Sequence, residues 1–424
     1  MKSILKSIVV LTLALLARAV VRRYRPRIVM VTGSVGKTST KDAVAAVLAA
    51  RFYVRKSEKS FNTGFGVPFT ILGVENPWMN PIAWISVLKK AFSLLVLPNH
   101  YPNMLVLEVG ADRPGDLSRI LRIATPEAVV VTRLPEVPVH VEAYASPEEV
   151  REEEFSPAYA LSAGAPLIVP ADDPYARENA LRTSARVISY GSAEDATVCV
   201  SDADFYEHEG QVAGMKATAV IGDERRSFIV KGSVGTTQLL PAAAALAVAR
   251  AFEIPFAEAL TALENYEPPA GRGRLFAGKN GSVIIDDSYN ASPAAVEEAL
   301  ATLKAFPHAA RRIAVLGDML ELGRYSVMEH ERIATLAADS ADVIVAVGIR
   351  ARAFAREPKD AEVTQFDNAR AAAQALPDLV REGDVVLVKG SQSVRTERIV
   401  EALLADPADS MKLVRQSKGW KRRF

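Results

Sequence analysis

The chain has 424 residues, enough for two or three domains that each bury a core. Its 51 Lys+Arg against 50 Asp+Glu leave a formal charge of +1, so no global charge argues for a nucleic-acid partner. A single cysteine, Cys199, excludes an internal disulfide and fits a reducing, cytosolic setting.

Ile4 to Val21 is a mostly apolar stretch of 18 residues, broken by Lys6, Ser7 and Arg18 and followed by Arg22, Arg23, Arg25 and Arg27. A full span needs about 20 apolar residues, so the length is marginal. Ala17-Arg18-Ala19 resembles a signal-peptide cleavage site, but a buried strand starts at once at Ile28. An uncleaved anchor with its basic cluster on the cytoplasmic side satisfies the positive-inside rule. A helix lying flat in the interface is the other arrangement, since Lys2 and Lys6 charge its far end too. The expectation for residues 1–27 is therefore attachment to the cytoplasmic face of a membrane, set against a plain packing helix.

Ile28-Val29-Met30-Val31 runs into Thr32-Gly33-Ser34-Val35-Gly36-Lys37-Thr38-Ser39, and an alanine-rich segment follows to Ala50. That order predicts strand, phosphate loop, helix. The glycines let backbone N–H groups turn inward around an anion, and the helix N-terminus adds its positive dipole end. Lys37 can reach a β/γ-phosphate and Thr38 offers a hydroxyl to magnesium. Val31 stands where the longer form of this motif has its first glycine. Binding of a nucleoside triphosphate, ATP, through Gly33 to Ser39 is the prediction.

Ser60 to Thr70 is polar and glycine-rich, a loop in which Asn62 and Thr63 are candidates for substrate contact. Pro81 to Leu97 predicts an amphipathic helix: Trp84, Val87, Leu88, Ala91, Phe92 and Leu95 share a face, with Ser86, Lys89, Lys90 and Ser93 opposite. It packs on the core or makes a second membrane-surface contact. Met104 to Gly110 predicts a buried strand whose Glu108 needs a cation to compensate its burial, and a magnesium ion on Thr38 would supply one. A third strand, Ala128 to Thr132, leads to His140, placed at the sheet edge where ligands of α/β folds gather. An acidic helix start at Pro147–Phe155 contains Glu154; Leu167–Val169 is another strand. Ala196 to Val230 alternates as a small antiparallel sheet, Pro241 to Phe252 reads as a helix, and Asn265 to Gly271 is the clearest linker. Beyond it, strands at Val283–Asp286, Arg312–Leu316, Val343–Val347 and Val385–Val388 predict a second doubly wound sheet. The loops after three of them, Asp286–Pro293, Gly317–Gly323 and Lys389–Ser391, stand out as ligand-binding edges.

Together, Thr32–Thr38, Leu107–Ala111, His140-Val141-Glu142, Gly273-Arg274-Leu275, Asp286–Pro293, Val315–Gly323 and Val388–Ser391 occur in the order seen in the Mur ligases. The last four look most like the branch that adds D-alanyl-D-alanine to a UDP-N-acetylmuramoyl-tripeptide. The resemblance implies an α/β fold: a central phosphate-loop ATPase domain (28–268) with a mostly parallel sheet, then a Rossmann-like C-terminal domain (269–424). It implies an ATP-dependent, ADP-forming ligase that activates a carboxylate as an acyl phosphate and joins it to an amine. Lys37 would stabilise the transferring phosphoryl group, Thr38 and Glu108 would hold one Mg2+, and His140 would help hold a second. Arg274 would reach the γ-phosphate, Asp287 and Asn290 the nucleotide, and Lys389 and Ser391 the incoming amine.

Three departures accompany the resemblance. The family's UDP-gripping domain has no counterpart before Ile28, which points to a lipid-linked or polymeric acceptor, or to a partner protein that supplies the domain. Glu154 aligns with a lysine that the family carbamoylates to support the second metal. Thr237-Gln238 replaces a His-Asn pair, leaving Gln238 to read the adenine edge. Two other functions stay open: an anchored ligase making a different amide, such as poly-γ-glutamate, and a non-catalytic nucleotide-binding scaffold at the membrane.

Overall fold

In the computed structural model, which describes residues 2–58, 62–77, 80–355 and 361–421, two sheets follow one another along the chain. Ser60 and Phe61 of the predicted glycine-rich loop lie outside the described residues. The first sheet holds β1 (Arg27–Thr32), β2 (Val54–Lys56), β3 (Met104–Glu108), β4 (Ala128–Val131), β5 (Pro166–Pro170), β6 (Arg186–Gly191), β7 (Val198–His208), β8 (Gln211–Ile221) and β9 (Glu224–Lys231). Their spatial order is β2-β3-β1-β4-β5-β6-β7-β8-β9. The pairs from β2 through β7 are parallel and only β7–β8 and β8–β9 are antiparallel, so β8 alone runs against the rest and the predicted antiparallel unit is a continuation of the main sheet.

Side chains of β1 alternate between two cores, as the two-residue period of a strand dictates. Val29 and Val31 enter the core under the helices Lys37–Leu48 and Leu239–Ala251, whereas Ile28 and Met30 enter the one on the opposite face. β3 does the same with Met104 and Val106 against Leu105 and Leu107.

The second face is built by α1 (Lys2–Tyr24), α3 (Gly66–Leu72) and α4 (Pro81–Val96), while α2 (Lys37–Leu48) covers the first. Here the expectation of a membrane-spanning anchor is corrected. Among the described residues no helix is long and apolar enough to cross a membrane. Leu13, Ala17 and Val20 of α1 are buried in the same core as Ile28 and Phe69, and Tyr24 stacks on Tyr101 with ring centroids 4.4 Å apart. The Tyr24 hydroxyl donates to Leu94 O (2.8 Å), and Arg23 donates to Leu95 O and Leu97 O at the end of α4. Its apolar stripe thus meets protein, because α3 and α4 offer an apolar surface within reach. The predicted amphipathic face of α4 is shifted: Val87, Ala91 and Leu94 are buried, but Leu88 and Phe92 are exposed.

The second sheet holds β10 (Arg274–Ala277), β11 (Val283–Asp287), β12 (Arg311–Gly317), β13 (Val343–Val347), β14 (Glu362–Phe366) and β15 (Asp384–Lys389), ordered β10-β11-β15-β12-β13-β14. All pairs but β10–β11 are parallel. Sequence periodicity missed β10 and β14, both at edges, where half-exposed residues weaken the apolar signal. Phe205 of β7 meets Phe306 edge-on at 5.3 Å, and Arg133 pairs with Glu298, so side chains tie the two units together.

Candidate active site

Parallel strands aim their C-terminal ends one way, and β1 lies between β3 and β4 with Val31 beside Glu108 and Thr32 beside Val131. The loops that leave those ends therefore share one edge. Gly33 adopts φ +116°, and a Cβ there would sit 2.4 Å from the Thr132 hydroxyl, so only glycine lets the loop pass β4. Gly36, at φ +88°, caps α2. The amides of Ser34 and Val35 donate to Arg133 O (3.0 and 3.3 Å). This narrows the expected anion cradle from Gly33 to Ser39: Ser34 and Val35 line the cleft, but the Arg133 carbonyl just past β4 takes their amides, which leaves the N-terminus of α2 at Gly36–Thr38 to offer its N–H groups there. Ser39 is buried on α2, away from the opening.

A cleft of about 660 Å³ opens between the two units, within the range of small-molecule sites. Ser34 to Thr38, Asn62, Glu108 and His140 line it from the first unit; Asn290, Leu320, Glu321 and Ser391 line it from the second. Asn62 lies against Gly110, whose Cβ would be 2.9 Å from its Nδ2 and 3.5 Å from the Lys37 side chain. Thr63 is not among the residues that line the cleft; its carbonyl accepts Val67 N–H at 3.0 Å as α3 begins.

Glu108 is 1% exposed, and burial pushes its carboxyl above the usual range against the pull of Lys41, Lys37 and Arg272. Its Oε1 accepts the Thr38 hydroxyl at 3.2 Å, whereas its buried Oε2 has no hydrogen-bond partner among the described residues. The Lys41 ammonium stands 3.9 Å from that oxygen, too far for a hydrogen bond, so the oxygen keeps room for a closer cation. No group of three His, Cys, Asp or Glu that could hold a metal occurs among the described residues, so a metal here would lean on Thr38, Glu108 and the nucleotide's own oxygens. That is how Mg2+ commonly sits in phosphoryl-transfer sites.

Lys37 hooks back onto Gly33 O and lies 3.3 Å from Glu154 Oε1, while Ser34 donates to Glu154 Oε2. Glu154, 1% exposed, thus sits behind the phosphate loop and holds its lysine; it does not line the cleft. His140 is not arranged as a metal ligand. Its Nδ1 meets Glu321 Oε2 at 2.8 Å and its Nε2 lies 3.6 Å from Asp112, so both ring nitrogens face carboxylates. Burial lowers its pKa, but Glu321 and Asp112 outweigh burial and raise it, favouring the imidazolium. His140 and Glu321 bridge the two units across the cleft.

Two further expectations are corrected. Lys389 is 2% exposed and does not face the cleft: its ammonium binds Asp287 Oδ2 (2.5 Å) and Asn290 O (3.2 Å), because a buried cation needs such partners. Asp287 is thereby engaged with Lys389. Arg274 lies on β10 with its guanidinium 5.9 Å from the Phe276 ring, outside the cleft. Its neighbour Arg272 lines the cleft instead, stacked 4.2 Å over Tyr289, and the doubled Gly271-Arg272-Gly273-Arg274 run was the available signal for it. Gln238 is buried beside Gly273, and its Oε1 has no partner among the described residues.

Sequence reasoning also missed His330, Arg395 and Trp420. Burial holds His330 below its ordinary pKa; its Nε2 accepts Met319 N–H at 3.0 Å and its Nδ1 meets Ser326 O at 2.6 Å, which fixes the loop carrying Glu321. Arg395 and Trp420 line the cleft, with Arg395 anchored on the buried Glu397 at 2.5 Å. No motif marks them, since the last residues reach the site only through folding.

Comparison with known proteins gives two family matches: the Mur ligase middle domain over residues 31–249 and the Mur ligase, glutamate ligase domain over residues 271–392. The chain is 29% identical over 398 residues to the UDP-N-acetylmuramoyl-tripeptide--D-alanyl-D-alanine ligase of Bacillus subtilis, covering 92% of this chain and 79% of that protein. It is 30% identical over 404 residues to the Mycobacterium tuberculosis protein of that name, covering 89% and 73%. Among solved structures, the MurF ligase of Thermotoga maritima in complex with ADP is similar with a TM-score of 0.76 and 27% identity, over 93% of this chain and 83% of that one.

Proposed function

The chain belongs to the Mur ligase family, and from that premise we propose that it joins D-alanyl-D-alanine to a muramoyl-tripeptide-type acceptor at the expense of ATP. It is an ATP-dependent, ADP-forming ligase of cell-wall peptide synthesis. The observation that carries the reading at this site is the buried Glu108 carboxylate beside Thr38 and the phosphate loop, with one oxygen that accepts no hydrogen bond among the described residues and lies 3.9 Å from the Lys41 ammonium, in a cleft closed from the other side by a second unit.

The reaction has two steps. An acceptor carboxylate oxygen attacks the γ-phosphorus and ADP leaves; the amine then attacks the acyl carbon and phosphate leaves. The N-terminus of α2 at Gly36–Thr38 receives the phosphates, and Lys37, released from Gly33 O, stabilises charge on the group in transfer. Thr38 and Glu108 would hold Mg2+, which when bound neutralises phosphate charge. Glu154 holds the Lys37 ammonium at the phosphate loop. Arg272 adds positive charge to the nucleotide side, and Gln238 offers its amide to the base. Asn62 from one unit and Asn290 and Ser391 from the other present polar groups to the peptide substrates. Closure between the units, through His140 and Glu321, excludes water that would hydrolyse the acyl phosphate. We take 28–268 and 269–424 as the two domains, a division supported by one sheet lying on either side of it.

The test is ATP turnover with mass analysis of products. Acceptors are UDP-N-acetylmuramoyl-tripeptide and its lipid-linked counterpart, each with and without D-alanyl-D-alanine. A product one D-alanyl-D-alanine unit heavier, formed only with both substrates and lost in Lys37→Ala, supports the reading. ATP binding with no amide from any pair refutes it.

A further inference from the structure

α1 and α4 pack on each other and on the sheet, yet each leaves a second apolar row in solvent. On α1, Leu13, Ala17 and Val20 are buried while Ile8, Leu11 and Leu15 are 56–61% exposed. On α4, Val87, Ala91 and Leu94 are buried while Ile82, Ile85, Leu88, Phe92 and Val96 are exposed, Ile82 to 75%. The spacings 8, 11, 15 and 82, 85, 88, 92, 96 each describe one helix face. Scattered exposed leucines are ordinary, but eight large apolar side chains on two touching helices form a surface that the fold does not use.

The charges on the same helices identify what covers it. α1 carries Lys2, Lys6, Arg18, Arg22 and Arg23, and α4 carries Lys89 and Lys90; neither has an Asp or Glu. In a chain of net charge +1 these two helices carry seven positive charges and no negative one, and Arg18, Arg22, Arg23, Lys89 and Lys90 are exposed on them. We propose that this face docks on an anionic lipid surface. The two apolar rows enter the boundary between headgroups and acyl chains, and Arg18, Arg22, Lys89 and Lys90 meet headgroup phosphates. A second copy is a poor occupant, because a two-fold contact would bring two uncompensated basic sets together. The docked face also borders the active site. Val10 of α1 lies against Gly64, two residues from Asn62 in the cleft wall.

The experiment is co-sedimentation of the full chain with vesicles of phosphatidylcholine, and of phosphatidylcholine and phosphatidylglycerol in equal parts. Wild type is expected to bind the anionic vesicles and to release them at high salt. Lys89→Glu with Lys90→Glu should weaken binding roughly thirtyfold or more, from about fivefold per lysine lost at the surface. Ile85→Asp with Phe92→Asp should weaken it roughly a hundredfold, from the two apolar side chains withdrawn. Both variants should keep the wild-type melting temperature and ATP turnover, since these side chains are exposed and none of them lines the cleft. Wild type that ignores anionic vesicles overturns the proposal. So does binding unchanged in both variants, or a dimer in sedimentation velocity that Ile85→Asp with Phe92→Asp dissolves while vesicles bind neither protein.

Discussion

Asp286 gives a prediction whose size follows from one buried carboxyl. It ends β11 at 0% exposure, and burial raises its pKa from 3.8 to about 6 against the pull of the Ser288 amide and hydroxyl. Oδ1 accepts both Ser288 groups, at 3.1 and 2.5 Å, whereas Oδ2 has no partner among the described residues. Below the unfolded value of 3.8 both states are protonated and the group costs nothing. As pH rises, the unfolded chain ionises first while the native carboxyl keeps its proton, so the native state loses stability until pH passes about 6. The difference in pKa corresponds to about 3 kcal/mol at 1.36 kcal/mol per unit. Asp286→Asn keeps Oδ1 for Ser288 and removes the titration. The unfolding free energy of wild type relative to this variant, measured by urea titration from pH 4 to pH 7.5, should fall by about 3 kcal/mol, with the change confined to about pH 4–6. Parallel pH profiles for the two proteins would refute the reasoning.

Replacing Glu108 by Gln should weaken nucleotide binding about ten- to a hundredfold in the presence of Mg2+ and leave binding in chelator nearly unchanged, as calorimetry would read. Truncating buried Leu13 to Ala should destabilise the fold by about 2–5 kcal/mol, whereas Leu11→Ala, on the exposed face of the same helix, should stay within about 0.5 kcal/mol. For His330, whose pKa is lowered by burial, native stability is fully present above the unfolded value of 6.5 and lost as pH falls through the lower native value. His330→Phe should flatten that acid limb in thermal melts and loosen the 317–323 loop toward proteolysis.

What could be read from residues alone was whatever neighbours in sequence settle. Ile28 to Thr38 declared strand, turn and helix because a β-branched run, two glycines and a lysine at fixed spacing leave few local conformations. The β-rich periods at Val343–Val347 and Val385–Val388 were legible because strands buried on both faces are apolar without interruption. Glu108 was suspect as soon as it stood at the end of such a strand. The edge strands β10 and β14, half in solvent, carried no comparable pattern.

The tertiary structure decided every question of partnership. The apolar run of α1 reads alike as anchor or packing helix, and α3 and α4 beside it bury one row of it in protein. Thr38 meets Glu108 only because β1 inserts between β3 and β4, an order the chain does not spell out. By position in the sequence Lys389 reads as a substrate contact and His140 as a metal ligand, but in the fold Asp287 holds Lys389, and Glu321 and Asp112 face the His140 ring. Backbone preference is a local property and is written residue by residue. Which acceptor satisfies a buried donor depends on segments hundreds of residues away, so the site's polar pairings exist only once the two sheets have come together.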